Sequence, residues 1–469
     1  MFNLANLKKF GNKVFSIDEN NNKFTYNNLI ESIKKFNFIY KLNDQNLSIL
    51  VAENCYSFIV IYFANLISKS KIILLHPNYF NSNSATIINN YKPDYIFIPN
   101  NIKKQKSILR NIEKKIYGEY SVFILYQKKK KFINKELAIM LPTSGSLGKP
   151  KFVCLSYENL KNNTREIKKY LKINTQSSVI TTLSPSYSYG LSIINSHVIS
   201  GSKIILNNRS LIDAKFWKLL IENKINFFYG VPLMFEILFK SSKFFDQLKT
   251  IKTFACAGGH LNKEIKLRML KVLNDKKIFI MYGQTEASPR ISYLDLSNNQ
   301  DKLESIGKPL NGGKLWIEND KKELNNKNSG ELIYKGRNVM LFYANSRNDL
   351  SNLRKNDYIL KTNDLGYEDL EGFFYISGRK NRIAKINGVR VELDILEKDF
   401  KKYEIICVVL EKYLYLCSKK DLNNQLILKI SETYNLSINN IKIKKIDHIP
   451  LNNNNKIDYS KIKEILKND

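Results

Sequence analysis

Residues 278–286 read IFIMYGQTE. An unbroken apolar run this short is a buried strand, and the glycine and polar residues that follow end it in a turn. The same form recurs along the chain. LSILVA (47–52), KIILLH (71–76), YIFIPN (95–100) and VFILYQ (122–127) come first. VITTLS (179–184), KIILNN (203–208), FFYGVP (227–232) and TFACAGG (253–259) follow. Helical stretches lie between them. Strands alternating with helices predict layered α/β architecture with largely parallel sheets. In such sheets the ligand site lies at the strand ends, where TSGSLGKPK (143–151), YSYG (187–190), CAGGH (256–260) and YGQTE (282–286) fall.

The chain has 469 residues, which is long for one core and predicts at least two domains. From about Gly312 the pattern changes to strands and turns: KLWIEN, GELIYKG, YILKTNDLGYED and FFYISGR. They predict a β-rich subdomain over 312–378, inside an N-terminal domain of 1–378. A small, mobile α+β domain is expected over 379–469, ending in an amphipathic helix after the Asn-rich loop PLNNNNK (450–456).

The hydrophobic fraction of 43% is ample for packed cores. The most apolar helix candidate, YSFIVIYFANLI (56–67), is too short to span a bilayer and reads as buried. The start of the chain lacks the order of a signal peptide. Five scattered cysteines without a CxxC pair read as reduced thiols. Together these features predict a cytoplasmic protein without a transmembrane segment, as a monomer or dimer. The net charge of +32 is spread along a chain rich in Lys, Asn and Ile, with one compact block, QKKKKF (127–132). It reads as compositional drift with a solvated surface. No specific nucleic-acid partner is expected; weak polyanion binding at low salt follows from the charge.

TSGSLGKPK packs two glycines, three hydroxyl residues and two lysines into nine positions. Glycine lets backbone amides approach a phosphate closely, and successive amides form an anion-binding nest. Taken alone, the segment reads equally well as a solvent loop. It is neither the P-loop G-x-x-x-x-G-K-[ST] nor a Rossmann fingerprint.

Its company decides. TSGSLGKPK, YSYGLS, CAGGHL, YGQTEAS, GELIYKGRNVMLFY, TNDLGYEDLEGFFYISGR, KINGVRVELDILE and NNKIDY follow in that order. This succession resembles the adenylate-forming (AMP-binding) superfamily of acyl-CoA synthetases, nonribosomal-peptide adenylation domains and luciferases. The likeness covers almost the whole chain and begins at FTYNNLIESI (24–33), which looks like the family's first helix. It implies a large N-terminal and a small C-terminal domain. It also implies a two-step reaction. A carboxylate attacks the α-phosphate of MgATP, releasing pyrophosphate. A phosphopantetheine thiol, of CoA or an acyl carrier protein, then takes the acyl group.

The resemblance assigns roles position by position. Thr143, Ser144, Gly145, Ser146, Gly148 and Lys151 match the loop that grips the β- and γ-phosphates. Leu147 and Phe152 depart from its usual hydroxyl and glycine. Glu286 matches the magnesium ligand, and Thr285 lies by the α-phosphate. Gly258, Gly259, His260, Tyr282 and Gly283 match the walls around adenine. Asp364 matches the acid that accepts the ribose hydroxyls, supported by Arg379; Asn363 stands where glycine is usual. Lys456 matches the catalytic lysine of the small domain, and Asn381 the hinge. Tyr187 and Gly388 fall in the acyl and thiol regions. Each has a plainer reading in isolation: Glu286 as an acid at a helix start, Asp364 as a turn residue, Lys456 as a solvated lysine.

His197, in INSHVIS (194–200), is expected on a helix as a packed or hydrogen-bonded histidine, since a carboxylate nucleophile needs no base. No acid occurs from Leu183 to Val198, where amino-acid-activating relatives place one for the substrate ammonium. The segment YSYGLSIINSH looks closest to acyl-CoA-synthetase-like proteins of bacterial surface-polysaccharide and secondary-metabolite clusters. The expected substrate is therefore a small or medium acid without a free amine. GVRVELDILE resembles the D-alanine-activating group, which leaves an amino-acid ligase as the alternative. A noncatalytic binding protein that keeps the fold is the other.

Overall fold

The computed structural model describes all residues except 1, 103–108, 110–111, 126–131, 144–150, 241, 319–328, 353–356, 388, 452–456 and 468–469. Calls on Ser144, Gly145, Ser146, Gly148, Gly388 and Lys456 lie outside the described residues. The chain forms two compact units, residues 1–314 with 335–360, and residues 315–334 with 361–469.

The first unit carries two sheets. One runs Phe342–Ala344, Lys151–Ser156, Leu137–Thr143, Lys71–Leu75, Leu47–Val51, Tyr95–Pro99, Tyr120–Ile124, Glu113–Tyr117 in spatial order. Its middle strands pair in parallel and its outer ones antiparallel. In the other, Lys277–Tyr282, Thr253–Cys256, Phe227–Gly230, Ser178–Ile180, Lys203–Ile205 and Val14–Ile17 are parallel neighbours. Antiparallel strands flank that run, Ser292–Asp295 and Ser305–Pro309 on one side and Lys23–Thr25 on the other.

Local chemistry explains the helices between. Tyr26–Tyr40 opens on a capping box of Thr25 and Asn28, and Tyr157–Tyr170 on one of Ser156 and Asn159. Tyr56–Ile67 is apolar on every face and almost wholly buried. Its Phe58, Ile59, Ile61 and Phe63 join a core with Leu50, Leu74, Ile139 and Leu155. Each such side chain contributes about 1.5–3 kcal/mol by burial. No helix among the described residues is long and apolar enough to cross a membrane.

Most of strands Lys314–Glu318, Gly330–Lys335 and Ile359–Glu368, and all of Phe374–Arg379, belong to the second unit. A hairpin, Ile383–Ile386 with Val389–Glu392, leads to a three-stranded sheet of Ile406–Leu410, Tyr413–Ser418 and Ile441–Lys445. Leu396, Leu414, Leu416, Leu426 and Ile430 form its core. The final helix, Tyr459–Lys467, adds Ile462 and Leu466 against Ile406 and Cys417. Compactness thus groups the strands expected of the β-rich subdomain with the C-terminal residues.

Candidate active site

Two parallel strands deliver the central motifs together. Thr253–Cys256 pairs with Lys277–Tyr282 with Cys256 opposite Ile280, so the glycines after the first and YGQTE after the second leave one end of the sheet. Gly258 has φ +95°, a conformation that L side chains rarely adopt. A Cβ there would also stand 2.8 Å from Tyr187 Oη. At Gly283 a Cβ would meet the Pro289 carbonyl oxygen at 1.9 Å, so the strand end closes against the returning chain only with glycine. His260 is exposed, with Nε2 3.5 Å from Glu304 Oε2.

Thr285–Ala287 is a single 3₁₀ turn. Side-chain amides from two other elements hold the chain that follows it. Asn163 Nδ2, on helix Tyr157–Tyr170, donates to the carbonyls of Ala287 and Arg290 at 3.3 and 3.2 Å. Asn338 Nδ2 donates to the same two at 2.7 Å each. Ser288 Oγ donates back to the Asn338 carbonyl at 2.7 Å. Thr285 Oγ1 lies 3.2 Å from Ser188 Oγ, at the start of helix Ser188–Val198.

The other sheet meets this turn through Tyr343. Strand Phe342–Ala344 pairs beside Lys151–Ser156, with Tyr343 opposite Val153. Tyr343 Oη donates to Glu286 Oε1 at 2.9 Å. Lys151 Nζ stands 3.3 Å from the centroid of the same ring, a close cation–π contact. The backbone N–H of Met340 donates to the Glu286 carbonyl at 2.8 Å. Burial, then the Glu286 charge, pushes the Tyr343 phenol well up, so it remains a donor. Tyr343 thus joins the two charges, Lys151 over its ring face and Glu286 at its hydroxyl. Tyr343 ends the stretch GELIYKGRNVMLFY, and nothing local in the sequence distinguishes an edge-strand tyrosine. Phe152 is fully buried and packs edge-on against Tyr91, 5.2 Å between centroids.

Thr143 pairs with Lys151 across strands Leu137–Thr143 and Lys151–Ser156. Residues 144–150 join the two. Tyr187 caps helix Ser188–Val198, and burial raises its phenol against the pull of Arg290. His197, on that helix, is fully buried with Nε2 3.0 Å from Tyr229 Oη. Burial pushes its pKa down to about 3, so it is neutral and packed as expected. A cavity of about 550 Å³ opens at strand ends of both sheets of this unit, lined by Asn54, His76, Thr182 and Arg209 among others.

In the second unit, Asp364 and Arg379 lie opposite each other on antiparallel strands, with Arg379 Nε 3.0 Å from Asp364 Oδ1. Asp364 is 4% exposed. Asn363 has φ +60°, which explains a residue other than glycine at this position, since Asn tolerates the left-handed region best among the rest. Its N–H donates to Glu331 Oε1 at 3.0 Å. Asn381 is exposed in the short turn Lys380–Arg382. Lys380 Nζ reaches Glu331 Oε2 at 3.3 Å. Arg382 binds Asp394 at 2.8 Å, the Cys407 carbonyl at 2.7 Å, and Glu397. Asn381 therefore sits between one anchor on the strands before it and another on the lobe after it.

The family model for AMP-binding enzymes matches residues 5–344. The chain belongs to the AMP-binding enzyme family. Probable 4-coumarate–CoA ligase 3 of Dictyostelium discoideum is 30% identical over 290 residues, 59% of this chain and 52% of the relative. The 2-succinylbenzoate–CoA ligase of Bacillus subtilis is 28% identical over 256 residues, 54% and 51% of the two. The chain thus spans about half the length of the curated relatives it matches. Among solved structures, o-succinylbenzoate CoA synthetase of B. subtilis with an acyl-adenylate intermediate superposes with a TM-score of 0.78 at 20% identity, covering 98% of this chain and 97% of that one. Klebsiella oxytoca NpsA in complex with 3-hydroxyanthranilyl-AMSN superposes with a TM-score of 0.75 at 16% identity, covering 99% and 98%. The adenylate-forming fold read from the sequence is therefore the fold of this AMP-binding enzyme.

Proposed function

We propose that this AMP-binding enzyme activates a carboxylic acid with ATP, releasing pyrophosphate, and passes the acyl group from its adenylate to a phosphopantetheine thiol of CoA or a carrier protein. The observation that carries the reading is that Tyr343 joins Lys151 and Glu286. A cation and a carboxylate are held on one side chain, where a polyphosphate and its counter-ion need both.

Glu286 presents a hard oxygen from a half-buried turn, with one carboxylate oxygen engaged by Tyr343. That fits Mg²⁺, which takes one or two protein carboxylates and completes its shell with phosphate and water. No group of three or more His, Cys, Asp or Glu that could hold a metal occurs among the described residues, so a self-contained protein cage is not the arrangement proposed. Bound there, the ion would neutralise phosphate charge. Lys151, with Thr143 and residues 144–148, would bind the β- and γ-phosphates. Thr285 would donate its hydroxyl to the α-phosphate. Gly258, Gly259, His260, Tyr282 and Gly283 would line adenine, and Asp364 would accept the ribose hydroxyls while Arg379 holds its carboxylate in place. Lys456 would neutralise charge as the acid attacks. The part from Asn381 onward would turn between the half-reactions, with Gly388 serving the thiol step. Hinges absorb their motion in a few residues between packed elements, and the two anchors around Asn381 support this position.

The test is ATP–pyrophosphate exchange against a panel of carboxylic and amino acids, followed by thiol-acceptor assays. Exchange that depends on both Mg²⁺ and a nonamino acid is expected. Clear preference for an amino acid would overturn the substrate class, and absence of exchange with every acid would overturn the reaction.

A further inference from the structure

Two buried amides grip the chain just after Glu286 in the same way. Asn338 is 4% exposed and Asn163 1%. Each side-chain amide donates to the same two carbonyls, those of Ala287 and Arg290. A carbonyl oxygen has two lone pairs, so two amides with four N–H groups saturate the pair. Asn163 keeps this arrangement although its Oδ1 finds no hydrogen-bond partner, which costs stability in a buried site. The N–H groups are therefore what the fold uses there.

The grip is tied to the rest of the site. Asn159 and Asn163 stand four residues apart on helix Tyr157–Tyr170 and share a face. Asn159 Nδ2 donates to the carbonyls of Arg337 and Val339 at 2.8 Å each, on either side of Asn338. That helix follows directly on strand Lys151–Ser156. The Ser288 hydroxyl donates to the Asn338 carbonyl at 2.7 Å, and the Met340 N–H to the Glu286 carbonyl at 2.8 Å. One hydrogen-bonded frame thus runs from the element that starts at Lys151, through residues 337–340, to the turn that presents Thr285 and Glu286. Asn338 is where its three segments meet.

We propose that Asn338 is a positioning residue, whose amide fixes this turn so that the Glu286 carboxylate faces the metal of MgATP. This rests on the proposed function, because it presumes that Glu286 meets that metal. Asn338 acts through Glu286 alone. Hydrogen bonds that orient a metal ligand tune the affinity for the metal. An ionised aspartate of the same size has no N–H to give, so the position requires the amide.

The test is calorimetric titration of ATP, with Mg²⁺ or with a chelator in its place, into the unmodified protein, Asn338→Ala and Asn338→Asp, beside steady-state pyrophosphate exchange. Mg²⁺ should tighten ATP binding by the unmodified protein. Asn338→Ala should remove about tenfold of that advantage, the lower end of what loss of a metal ligand's supporting hydrogen bonds costs. Its binding of metal-free ATP should not change. In exchange, KM for MgATP should rise by a similar factor while KM for the carboxylic acid stays. Asn338→Asp should do at least as much. A merely structural asparagine would lower Tm and leave the Mg²⁺ advantage and both KM values untouched, and that result would overturn the assignment. So would an unmodified protein that gains nothing from Mg²⁺. If the Asn338 variants do not fold, Asn163→Ala carries the test, because its longer bonds of 3.3 and 3.2 Å leave the Asn338 pair in place. It should shift the Mg²⁺ advantage in the same direction, and no shift would overturn the proposal. Exchange with unaltered KM for MgATP in the variants would refute the positioning role and leave the reaction standing. A Mg²⁺ advantage that Asn338→Ala removes, in a protein that exchanges with no acid, would support the positioning role and refute the reaction.

Discussion

Glu286 and Tyr343 share one hydrogen bond, and substitutions on its two sides should differ in size. Glu286→Gln keeps the shape and an acceptor for the phenol but removes a negative charge from the proposed metal ligand. It should lower Mg²⁺-dependent pyrophosphate exchange by about 100-fold or more, as with other transition-state charge stabilisers. Tyr343→Phe keeps the ring under Lys151 and removes only the donor, so a loss of about tenfold is expected. Equal rates for Glu286→Gln and the unmodified enzyme at saturating Mg²⁺ would refute the metal role. At this scale the sequence points to residues where chemistry is concentrated in a short motif, as at Lys151, Glu286 and Asp364, whose roles are proposals. It was not legible at Tyr343 or Arg290. Arg290 belongs to none of the motifs, and its burial against the Tyr189 ring, 4.9 Å from its guanidinium, follows from packing between separate elements.

Helix Ser188–Val198 is buried along its whole length, and its His197 makes stability depend on pH. The folded pKa, about 3 through burial, lies below the unfolded value of about 6.5. Between the two the unfolded chain holds a proton that the folded chain does not. Stability therefore falls as pH drops through that window, by up to about 1.4 kcal/mol per pH unit. His197→Gln keeps a polar group facing Tyr229 without a titrating site. Urea midpoints between pH 7 and 4.5 should fall less steeply in that variant; parallel profiles would mean that His197 does not titrate this way. Elements were legible from apolar runs wherever a strand is buried on both faces. The edge strand Glu113–Tyr117 was not: it is largely exposed and reads EKKIY, the charged composition that blunts sheet edges. Nor could apolar runs show that 315–334 and 361–379 cluster with the C-terminal residues, because that grouping depends on pairings distant in sequence.

For the molecule as a whole, the proposed reaction has two steps, and the sharpest test is a residue that should serve only one. Lys456 stands in NNNNKIDY, more than three hundred residues from Lys151 in the sequence, and lies outside the described residues. Its match to the family's small-domain lysine implies that it neutralises charge only while the carboxylate attacks the α-phosphate. The thiol step has a different developing charge and is expected to use the part of the chain around Gly388. Lys456→Ala should then lower adenylate formation by about 100-fold or more, as loss of a transition-state charge stabiliser does. Thioester formation from a supplied synthetic acyl-adenylate and a thiol should be largely spared. Asn381→Pro gives the complementary result if the turn between the Lys380 and Arg382 anchors must change conformation, because a fixed φ there would hinder exchange between the two states. It should depress the overall reaction more than either half-reaction measured alone. Equal loss of both half-reactions in Lys456→Ala would mean that this lysine supports the fold or serves one static site, and the division of labour along the chain would fall.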